Sequence, residues 1–583
     1  MAAILSRNSV VSLALASCCL LLTCAVSVAE SDAAARSAAI AARVNKLDPF
    51  FKQHVPVGGT MVAGSEKVSR RALEEVAYLA RHMLANRPDV LNGYTRLLTV
   101  LAYTEMQSAL PACRGMNAWW DYRARGLAGS TISCGEENVL CLKGDPWAGE
   151  NIFVHEFAHG LNGAFAKMDP KFQPRLNALH AKAKASGLFR GYGVRNASEF
   201  WAESVQAWFN CNGTKRPESG GGQSSLERVG PKGRHVVHIR RREHVKKYLP
   251  GMAGLLDESF AQNKWTYVPV SKRLHEPHLK GFDPAKAPIF RWPEGLAEKF
   301  RAYEDQKKIQ AKTPWARVSI DQIMAAKALG APVAFENSIG MRFVLIPAGD
   351  FMMGSKIPAE QVARLSSEPN IQPKRFAGEH PRRKVKLTGA FYMSIHEVTQ
   401  KQYQAIAAAK DDNMPATNIS WSDAGKFCKT LSRNDKRAYA LPTEAQWEYA
   451  CRAGTETPFA FGPTIAPNQA NYDSNYAYDE GKSSKRSPKP MQIGRTHPNA
   501  WGLYDMHGNV SEWCADAYGP YLAKPETDPT GPAAGSTRVV RGGCWRSGPA
   551  ACRSAFRSAS DKGSDEIGLR VVCIIPAKQD TRE

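Results

Sequence analysis

Beyond its first 29 residues the sequence lacks long apolar runs, and no later stretch reaches the roughly 18 residues that a membrane span needs. It also lacks internal repeats of about 20 to 50 residues and any compositional bias typical of fibrous or disordered chains. We therefore expect globular domains and no transmembrane span in the mature protein. A chain of 583 residues is too long for one core, and two domains are the working number.

The first 29 residues are typical of an export signal. Arg7 supplies the positive start, an apolar run follows, and a small-residue cleavage site ends at Ala29. The stretch "LLTC" is similar to a lipoprotein cleavage box, but Thr23 stands where such boxes have a smaller residue. We expect export, to the periplasm or the medium, without a lipid anchor.

Acidic residues are too few to balance the basic ones, since 77 Lys and Arg face 55 Asp and Glu and leave a net charge of +22. Such a charge favours contact with an anionic surface or polymer. The densest basic run, residues 233–248, has no nucleic-acid fold signature beside it. We interpret it as a solvated basic face and expect no nucleic-acid partner.

The cysteines form two even sets beyond the signal. Four lie early and six late: Cys113, Cys134, Cys141 and Cys211, then Cys428, Cys451, Cys514, Cys544, Cys552 and Cys573. In an oxidising compartment this distribution favours separate disulfides in two domains. The spacing of Cys134 and Cys141 favours a disulfide over a pair of metal thiolates.

A proline-rich stretch divides the chain. Residues 274–295 hold four prolines, which exclude a continuous helix or central strand. A charged helix is predicted at about Leu296–Lys312, and apolar spacing in residues 70–84 predicts an amphipathic helix in a mainly helical first domain. The predicted divisions are a signal (1–29), a first domain (30–273), a linker with the charged helix (274–335), a second domain (336–575) and a polar tail (576–583).

The stretch "IFVHEFAHGLNG" carries two histidines that suit a metal. His155 and His159 are four residues apart, so on a helix both imidazoles lie on one face, with Glu156 beside them. A catalytic zinc keeps three protein ligands and a water, whose proton Glu156 would take. Asn162 and Phe165 exclude the extended motif that supplies a third histidine. A carboxylate is therefore needed.

Glu199 is the candidate for this third ligand. The stretch "GYGVRNASEFWAESVQAWF" places Glu199 and Glu203 four apart on a second predicted helix. The opposite, packing stripe is formed by Trp201, Val205 and Trp208. In the alternative interpretation, Asn196 caps this helix and Glu199 reaches back to it as a capping-box partner.

Together, "HEFAHGLN" and "YGVRNASEFWAE" resemble the zinc-peptidase domain of anthrax lethal factor and its relatives, over about residues 150–210 and more loosely over 50–270. The resemblance implies a peptide or protein substrate and three zinc ligands: His155, His159 and Glu199. It also implies that Glu156 is the general base and that Tyr192 stabilises the oxyanion. Glu203 would hold a ligand histidine in place.

Five motifs between residues 339 and 573 closely resemble the formylglycine-generating enzyme family, also called sulfatase-modifying factors. In order they are "IGMRFVLIPAGDFMMGS", "EVTQKQY", "LPTEAQWEYACRAG", "NAWGLYDMHGNVSEW" and "RVVRGGCW...CRSAFR...IGLRVV". The resemblance implies a variant C-type-lectin-like fold with little regular secondary structure. The whole chain is therefore predicted to be of the α+β class, with a zincin-like domain first.

The family's oxidases hold copper(I) with two cysteines, because soft thiolates suit that ion. Counting forward from Gly543 in "GGCWRSGPAAC" puts Ser547 at the first thiolate position and Cys552 at the second. Counting back from Gly568 makes Cys552 a structural cysteine and deletes both thiolates. A hydroxyl cannot replace a thiolate, so we expect no copper unless Cys544 pairs with Cys552.

The same resemblance implies disulfides and calcium. The pairs would be Cys428–Cys573 and Cys451–Cys552, leaving Cys514–Cys544 as a third. The motif "YDMHGNVSEW" matches a calcium site whose ligands would be the Asp505 and Glu512 side chains and the Gly508 and Val510 carbonyls. Asn471 and Tyr472 match the start of a second calcium loop. In the alternative, Gly508 and Asn509 form only a turn.

These inferences predict an exported zinc-dependent endopeptidase whose second domain binds or presents a substrate. Zinc is the expected cofactor, with calcium as a possible second ion. Two alternatives stay open: an oxidase that generates formylglycine in sulfatases, and a binding protein in which neither domain is catalytic.

Overall fold

The computed structural model describes residues 35, 38–187, 189–213, 225–230, 233–405, 413–485 and 487–575, with the backbone alone for 225–230 and 233–235. The predicted signal and polar tail lie outside the described residues. The chain divides into two units, Met1–Phe300 and Arg301–Glu583. Across the described part of the chain, no helix combines the length and the apolar character that a membrane crossing requires.

The first unit combines helices with two sheets. Its helices are α1 (Arg70–Met83), α2 (Pro88–Gly93), α3 (Ala118–Arg123), α4 (Glu136–Val139), α5 (Ile152–Met168), α6 (Phe172–Ala185), α7 (Ala197–Trp208), α8 (Arg242–Tyr248) and α9 (Pro250–Ser259). Its strands are β1 (Gln53–Val57), β2 (Thr60–Gly64), β3 (Leu98–Leu101), β4 (Gly126–Ala128), β5 (Ile132–Gly135), β6 (Phe189–Arg190), β7 (Ser225–Gly230) and β8 (Gly233–His238).

A five-stranded sheet with the order β1-β2-β3-β5-β4 forms the centre of this unit, and sequence analysis did not predict it. β2, β3 and β5 run parallel, whereas β1 and β4 pair antiparallel at the two edges. The strands are short, and every residue of β2, β3 and β5 is buried. Strands covered on both faces show no apolar and polar alternation, so the pattern that reveals a strand is missing.

The helix predicted from residues 70–84 is confirmed as α1. Ser69 caps it, since its hydroxyl accepts a hydrogen bond from the Ala72 amide at 3.2 Å. The apolar residues at helical spacing are buried, Leu73, Val76 and Leu79 among them. The amphipathic pattern therefore placed this helix and its buried face correctly.

Helices α5 and α7 pack against each other and carry the candidate metal ligands. Asn151 caps α5 through the Val154 amide at 3.0 Å, and Asn196 caps α7 through the Glu199 amide at 2.9 Å. The Trp201 indole of α7 donates to the Ala158 carbonyl of α5 at 2.8 Å. The predicted packing stripe of α7 is confirmed, because Trp201, Val205 and Trp208 are fully buried.

Helix α10 (Leu296–Lys312) includes residues of both units, and the second unit otherwise contains short helices and short strands. The helices are α11 (Ile320–Leu329), α12 (Ala359–Leu365), α13 (Gln400–Gln404), α14 (Trp421–Asp435) and α15 (Glu444–Arg452). The strands are β9 (Ala334–Glu336), β10 (Arg342–Ile346), β11 (Gly349–Met353), β12 (Arg383–Leu387), β13 (Phe391–Ser394), β14 (Ala438–Ala440), β15 (Ser511–Ala517), β16 (Glu526–Thr527), β17 (Arg538–Arg541), β18 (Arg557–Ser560), β19 (Ile567–Gly568) and β20 (Val572–Ile574).

These strands form sheets of five, three and four strands, with the orders β14-β20-β13-β10-β9, β11-β12-β16 and β18-β17-β15-β19. Long connections without regular structure lie between them, notably residues 453–510. The chain as a whole therefore mixes helix and sheet, as predicted.

Buried ion pairs connect distant segments of the second unit. Four arginines and their carboxylate partners are almost fully buried: Arg541–Glu448, Arg553–Glu379, Arg557–Glu444 and Arg570–Glu512. A buried charge without its partner is strongly destabilising, so each pair constrains the segments that supply it. The sequence gives no sign of which arginine meets which carboxylate.

The ten cysteines of the described residues carry free thiols, so the structure forms none of the predicted disulfides: Cys134–Cys141, Cys428–Cys573, Cys451–Cys552 and Cys514–Cys544. Cys134 Sγ lies 3.7 Å from the Thr99 carbonyl, whereas Cys141 Sγ lies 3.3 Å from the Tyr267 hydroxyl. Nine of the ten thiols are buried, and burial raises the pKa of Cys428 to about 12. Buried protonated thiols pack as small apolar groups, which corrects the disulfide pairs expected from the family resemblance and from spacing.

Candidate metal centre

Three side chains from α5 and α7 converge on one point. His155 Nε2 lies 3.2 Å from His159 Nε2 and 3.2 Å from Glu199 Oε2, and His159 Nε2 lies 3.3 Å from the same oxygen. The histidines are one turn apart on α5, and Glu199 reaches them from the first turn of α7. Within the described ranges, this is the only group of three or more His, Cys, Asp or Glu whose ligand atoms could hold one metal ion.

These separations fit a tetrahedral zinc site. Ligand atoms about 2.0 to 2.1 Å from a zinc ion at tetrahedral angles lie about 3.3 Å from one another. The three observed separations are 3.2, 3.2 and 3.3 Å. The three side chains are 11%, 14% and 18% exposed, so they face an opening and are not sealed in the core. The set of two imidazoles and one carboxylate therefore fits zinc and leaves room for a fourth ligand.

Gln206 fixes the orientation of the first histidine. Its side-chain amide donates to the Asn151 carbonyl at 3.1 Å, which turns its oxygen toward His155. His155 Nδ1 donates to that oxygen at 3.0 Å, so the proton sits on Nδ1 and Nε2 faces the other two ligands. Sequence analysis missed Gln206, although it lies seven residues after Glu199 on the same face of α7.

The structure distinguishes the two interpretations of Glu199. Asn196 caps α7 as the alternative proposed, but the Glu199 carboxylate faces the two histidines. The Ser198 hydroxyl lies 2.7 Å from His159 Nδ1, and sequence analysis did not predict this contact. The first turn of α7 therefore supplies both a candidate ligand and a partner for the second histidine.

The electrostatics of this group favour a bound cation. Burial raises the pKa of Glu199, but its hydrogen bonds to both histidines outweigh burial and bring it down to about 2. Burial likewise lowers the pKa of His155, whereas the bond to Glu199 and the charges of Glu156 and Glu203 raise it to about 10. Positive charge at this point is thus strongly stabilised by the surrounding carboxylates.

Glu156 and Tyr192 both line the cleft beside the three ligands. Gly126 of the edge strand β4 makes room for Glu156, because a Cβ at that glycine would lie 3.0 Å from Glu156 Cγ. Gly191 has a φ of 99°, in the region that favours glycine, and it directs the chain into the short turn Tyr192–Val194. The Tyr192 ring lies 6.3 Å from the His155 ring, centroid to centroid. Burial raises the pKa of Glu156 and that of Tyr192.

The predicted role of Glu203 needs correction. Glu203 was expected to hold a ligand histidine, but the partner on His155 Nδ1 is Gln206. The Glu203 carboxylate accepts a hydrogen bond from Asn212 at 3.1 Å and lines the cleft together with Glu150. Burial, reinforced by the charge of Glu203, raises the pKa of Glu150 to about 7. These two carboxylates make one wall of the cleft acidic.

The two carboxylates of the calcium prediction have hydrogen-bond partners within the second unit. The Glu512 carboxylate accepts hydrogen bonds from Arg570 at 2.7 Å and from the Trp447 indole at 2.6 Å. Asp505 accepts from the Gly494 amide and the Thr496 hydroxyl, each at 2.7 Å. Glu512 is thus paired with an arginine, and calcium binding at this motif stays a prediction.

The other residues of the calcium prediction connect two loops by hydrogen bonds. Asn471 donates from its side chain to Asn509 Oδ1 at 2.9 Å, and its carbonyl accepts the Asn509 amide at 2.7 Å. Tyr472 is buried, and the Val510 amide donates to Glu397 at 3.0 Å. Gly508 and Asn509 both have positive φ angles. Such angles are typical of a tight turn, which is what the alternative interpretation proposed for these two residues.

At the expected copper position, Ser547 is bonded within its own loop. Its hydroxyl accepts the Cys544 amide at 3.0 Å and lies 3.3 Å from Cys544 Sγ. Cys552 is fully buried, and burial, together with the nearby Cys544, raises its pKa well above the usual range. The backbone just before Cys544 approaches Cys552, since a Cβ at Gly543 would lie 2.8 Å from Cys552 Sγ.

The two units of the chain differ in architecture. The first mixes helices and sheets and carries the candidate metal centre, and the second consists largely of short strands whose connections are held by buried ion pairs. Residues 331–575 match the family described as "Sulfatase-modifying factor enzyme 1-like domain". The C-terminal part of the chain is therefore a domain of this family, which confirms the resemblance seen in its five motifs.

Among known proteins, the chain is similar to two formylglycine-generating enzymes. That of Streptomyces coelicolor is 33% identical over 174 residues, which cover 27% of this chain and 52% of the relative. That of Mus musculus is 27% identical over 298 residues, which cover 39% of this chain and 74% of the relative. The chain thus spans about half the length of the first relative.

A solved structure, PvdO from Pseudomonas aeruginosa, aligns with 42% of this chain and 98% of its own at 25% identity, with a TM-score of 0.34.

Proposed function

We propose that the protein is a zinc-dependent endopeptidase whose C-terminal domain binds or presents the substrate. The observation that carries this proposal is the convergence of His155, His159 and Glu199 at the separations of tetrahedral zinc ligands. The resemblance of the motifs around these residues to zinc peptidases supports it. We further propose that the protein acts after export, in the periplasm or the medium.

Each residue of the centre has a chemical role in this proposal. Zinc, when bound by the three ligands, supplies a Lewis acid that makes a water more acidic and polarises a carbonyl. Glu156 accepts the proton of the water that attacks the scissile carbonyl. Tyr192 donates a hydrogen bond to the carbonyl oxygen as negative charge develops on it, which contributes a few kcal/mol to the transition state. Gln206 keeps the His155 ring in position.

The edge strand β4 gives a reason to propose a peptide as the substrate. Among the described residues, β4 pairs with β5 on one side only, and Gly126 and Leu127 of β4 line the cleft that holds Glu156. An extended peptide can pair with a free strand edge through its main chain. A substrate bound in this way would run past the three ligands with its backbone held and its side chains directed to either wall.

Zinc content and peptide cleavage test this proposal. The purified protein is expected to bind one zinc ion per chain and to cleave members of a peptide library in a chelator-sensitive way. Glu156→Gln should keep the zinc and lose cleavage, whereas Glu243→Gln, an exposed glutamate of the same unit, should keep both. A zinc-free protein that cleaves nothing, or a Glu156→Gln variant with full activity, contradicts the proposal.

For the C-terminal domain we propose a binding role, because Ser547 stands where the oxidases have a thiolate. The family match also leaves a second candidate, the generation of formylglycine, which the proximity of Cys544 to Cys552 favours. Incubation with copper(I), dioxygen and a cysteine-containing sulfatase peptide separates the two. Conversion of the cysteine to an aldehyde, detected by mass spectrometry and lost in Cys552→Ala, would establish the oxidase. An unchanged peptide supports the binding role.

A further inference from the structure

The C-terminal domain contains a pocket of about 500 Å³ that includes none of the candidate zinc, calcium or copper residues. Its walls come from β12, the start of α15 and the loops that follow β15 and β16. Pro520, Leu522, Pro529 and Pro532 contribute apolar surface to it, and Leu522 is half exposed. Charged side chains line the same volume, with Arg383 among them. We call this volume the Arg383 pocket.

Arg383 is buried without the hydrogen bonds that a guanidinium normally makes. It is 8% exposed, and its Nε lies 2.8 Å from Glu526 Oε2, so its charge is balanced within the fold. Its Nη1, however, is fully buried and has no hydrogen-bond partner among the described residues. A buried donor that is left without an acceptor costs free energy. A ligand that brings an acceptor oxygen into the pocket would remove this cost.

Two arginines of this pocket contact the same aromatic ring but differ in their hydrogen bonds. The Tyr521 ring centroid lies 3.7 Å from Arg383 Cζ and 4.0 Å from Arg557 Cζ. Arg557 donates to both oxygens of Glu444, at 2.7 and 2.6 Å, and to the Gly519 carbonyl at 2.7 Å. Its donors are therefore engaged within the fold. Arg383 is held against the same ring and still has a donor to offer.

The acidic residues of the pocket limit the charge that a ligand can bring. Glu526 pairs with Arg383, and Asp528 accepts a hydrogen bond from the Thr388 amide at 2.9 Å. Burial raises the pKa of Asp516 to about 7, so in mildly acidic solution this carboxyl keeps its proton and does not repel an anion. A carboxylate carries one negative charge over two oxygens, whereas a phosphate carries more. The pocket therefore suits a carboxylate better than a phosphate.

We propose that the Arg383 pocket binds a carboxylate of a peptide, either at its C-terminus or in an acidic side chain. The carboxylate oxygens would accept hydrogen bonds from the guanidinium, whose planar fork of donors matches their geometry. The neighbouring apolar groups of the peptide would contact Leu522 and the prolines. This inference rests on the proposed binding role of the C-terminal domain and adds to it the place and the chemistry of recognition.

Matched peptides test the inference on the full-length protein, by titration calorimetry at about pH 6, below the pKa of Asp516. An acetylated peptide that ends in leucine is compared with its C-terminal amide, and an amidated peptide with an internal glutamate is compared with its glutamine counterpart. In at least one pair, the carboxylate peptide should bind with a Kd lower by about tenfold or more. The pair that shows this difference identifies the source of the carboxylate.

Substitutions assign the binding to the pocket. Arg383→Lys keeps the charge beside Glu526 but loses the planar fork, so it should remove most of the difference within the pair. Arg342→Lys makes the same change in an exposed ion pair and should leave the difference as in the wild type. A carboxylate bound at the candidate zinc centre would respond to neither substitution.

Opposite charges at Leu522 give a second readout that a folding defect cannot imitate. Because this side chain is half exposed, both variants should fold. Leu522→Lys should lower the Kd for the carboxylate peptide, and Leu522→Glu should raise it. Equal Kd values within both pairs, or a difference that Arg383→Lys does not change, overturns the inference, and peptides that still bind the C-terminal domain leave its binding role standing. A protein that binds no peptide at all overturns both.

Discussion

If the candidate centre binds zinc as proposed, the hydrogen bond between Gln206 and His155 should determine how tightly it does so. Gln206 is 1% exposed, and its two amide atoms are both engaged, with His155 at 3.0 Å and with the Asn151 carbonyl at 3.1 Å. Gln206→Leu keeps most of the volume but removes the acceptor for the Nδ1 proton. The ring can then rotate, and Nε2 no longer faces the other ligands in every molecule.

Loss of such a partner typically costs 10- to 100-fold in metal affinity, or about 1.4 to 2.7 kcal/mol. The general free-energy cost of a buried donor that loses its acceptor is of similar size, about 1 to 3 kcal/mol. We therefore expect Gln206→Leu to raise the Kd for zinc by about 10- to 100-fold. Ser198→Ala, which removes the partner of His159, should have a smaller effect because Ser198 is less buried.

Competition with a chromogenic zinc chelator measures these dissociation constants, and urea unfolding of the metal-free proteins separates positioning from folding. Gln206→Glu is the matched control, because its carboxylate still accepts from Nδ1 while the donor to Asn151 is lost. It should bind zinc more tightly than Gln206→Leu. A Gln206→Leu variant with wild-type zinc affinity, or two variants that lose affinity equally, refutes the reasoning.

Three further predictions concern packing and buried charge. Gly126→Ala should lower the free energy of unfolding by about 1 to 3 kcal/mol and reduce cleavage, because its Cβ would lie 2.4 Å from Ile152 Cγ2. Asp516→Asn should stabilise the protein above pH 7, because burial raises the pKa of Asp516 from 3.8 to about 7. The folded state then retains a proton that the unfolded chain releases, so wild-type stability falls as the pH rises from about 4 to 7, by about 4 kcal/mol at most. Arg570→Met should cost about 3 to 5 kcal/mol, because it leaves the Glu512 charge buried without its partner. Urea unfolding measures all three.

Each of these predictions has an internal control. Gly129→Ala places a methyl group where nothing lies within 4 Å, so it should be close to neutral. Asp516→Asn should resemble the wild type near pH 4, and a constant difference across the pH range contradicts the assignment. Arg342→Met breaks an exposed pair with Glu336 and should cost less than about 1 kcal/mol. If Gly126→Ala lowers the free energy of unfolding no more than Gly129→Ala does, the packing argument is wrong. If Arg570→Met lowers it no more than Arg342→Met does, the ion-pair argument is wrong.

The parts of the candidate centre that sequence analysis predicted are those in which spacing along one helix determines position. His155 and His159 are a turn apart on α5, and Glu199 and Glu203 are a turn apart on α7, so each helix alone fixes which side chains share a face. Which of the two glutamates meets the histidines depends on how α5 and α7 pack. The Trp201 to Ala158 hydrogen bond and the partner role of Gln206 become visible only after that packing is known.

The failures have a common physical cause, which is pairing between residues far apart in the chain. The local motif around Glu512 gave no sign of its ion pair with Arg570, 58 residues further on. The cysteines were paired from a family resemblance and from local spacing, whereas nine of the ten are buried free thiols, and Cys134, for example, lies beside the carbonyl of Thr99. The central sheet of the first unit was missed because its short strands are covered on both faces.

This contrast bears on which metal prediction deserves the first experiment. Both zinc and calcium were predicted from motifs, yet the structure treats their carboxylates differently. Glu512 meets a guanidinium that balances its charge within the fold. Glu199 meets two imidazoles whose remaining nitrogens are fixed by Gln206 and Ser198, and the three side chains stay partly exposed. A structural ion pair does not need an open face or a fixed ring orientation, whereas a metal ligand needs both. The candidate zinc centre is therefore the site at which metal binding should be measured first.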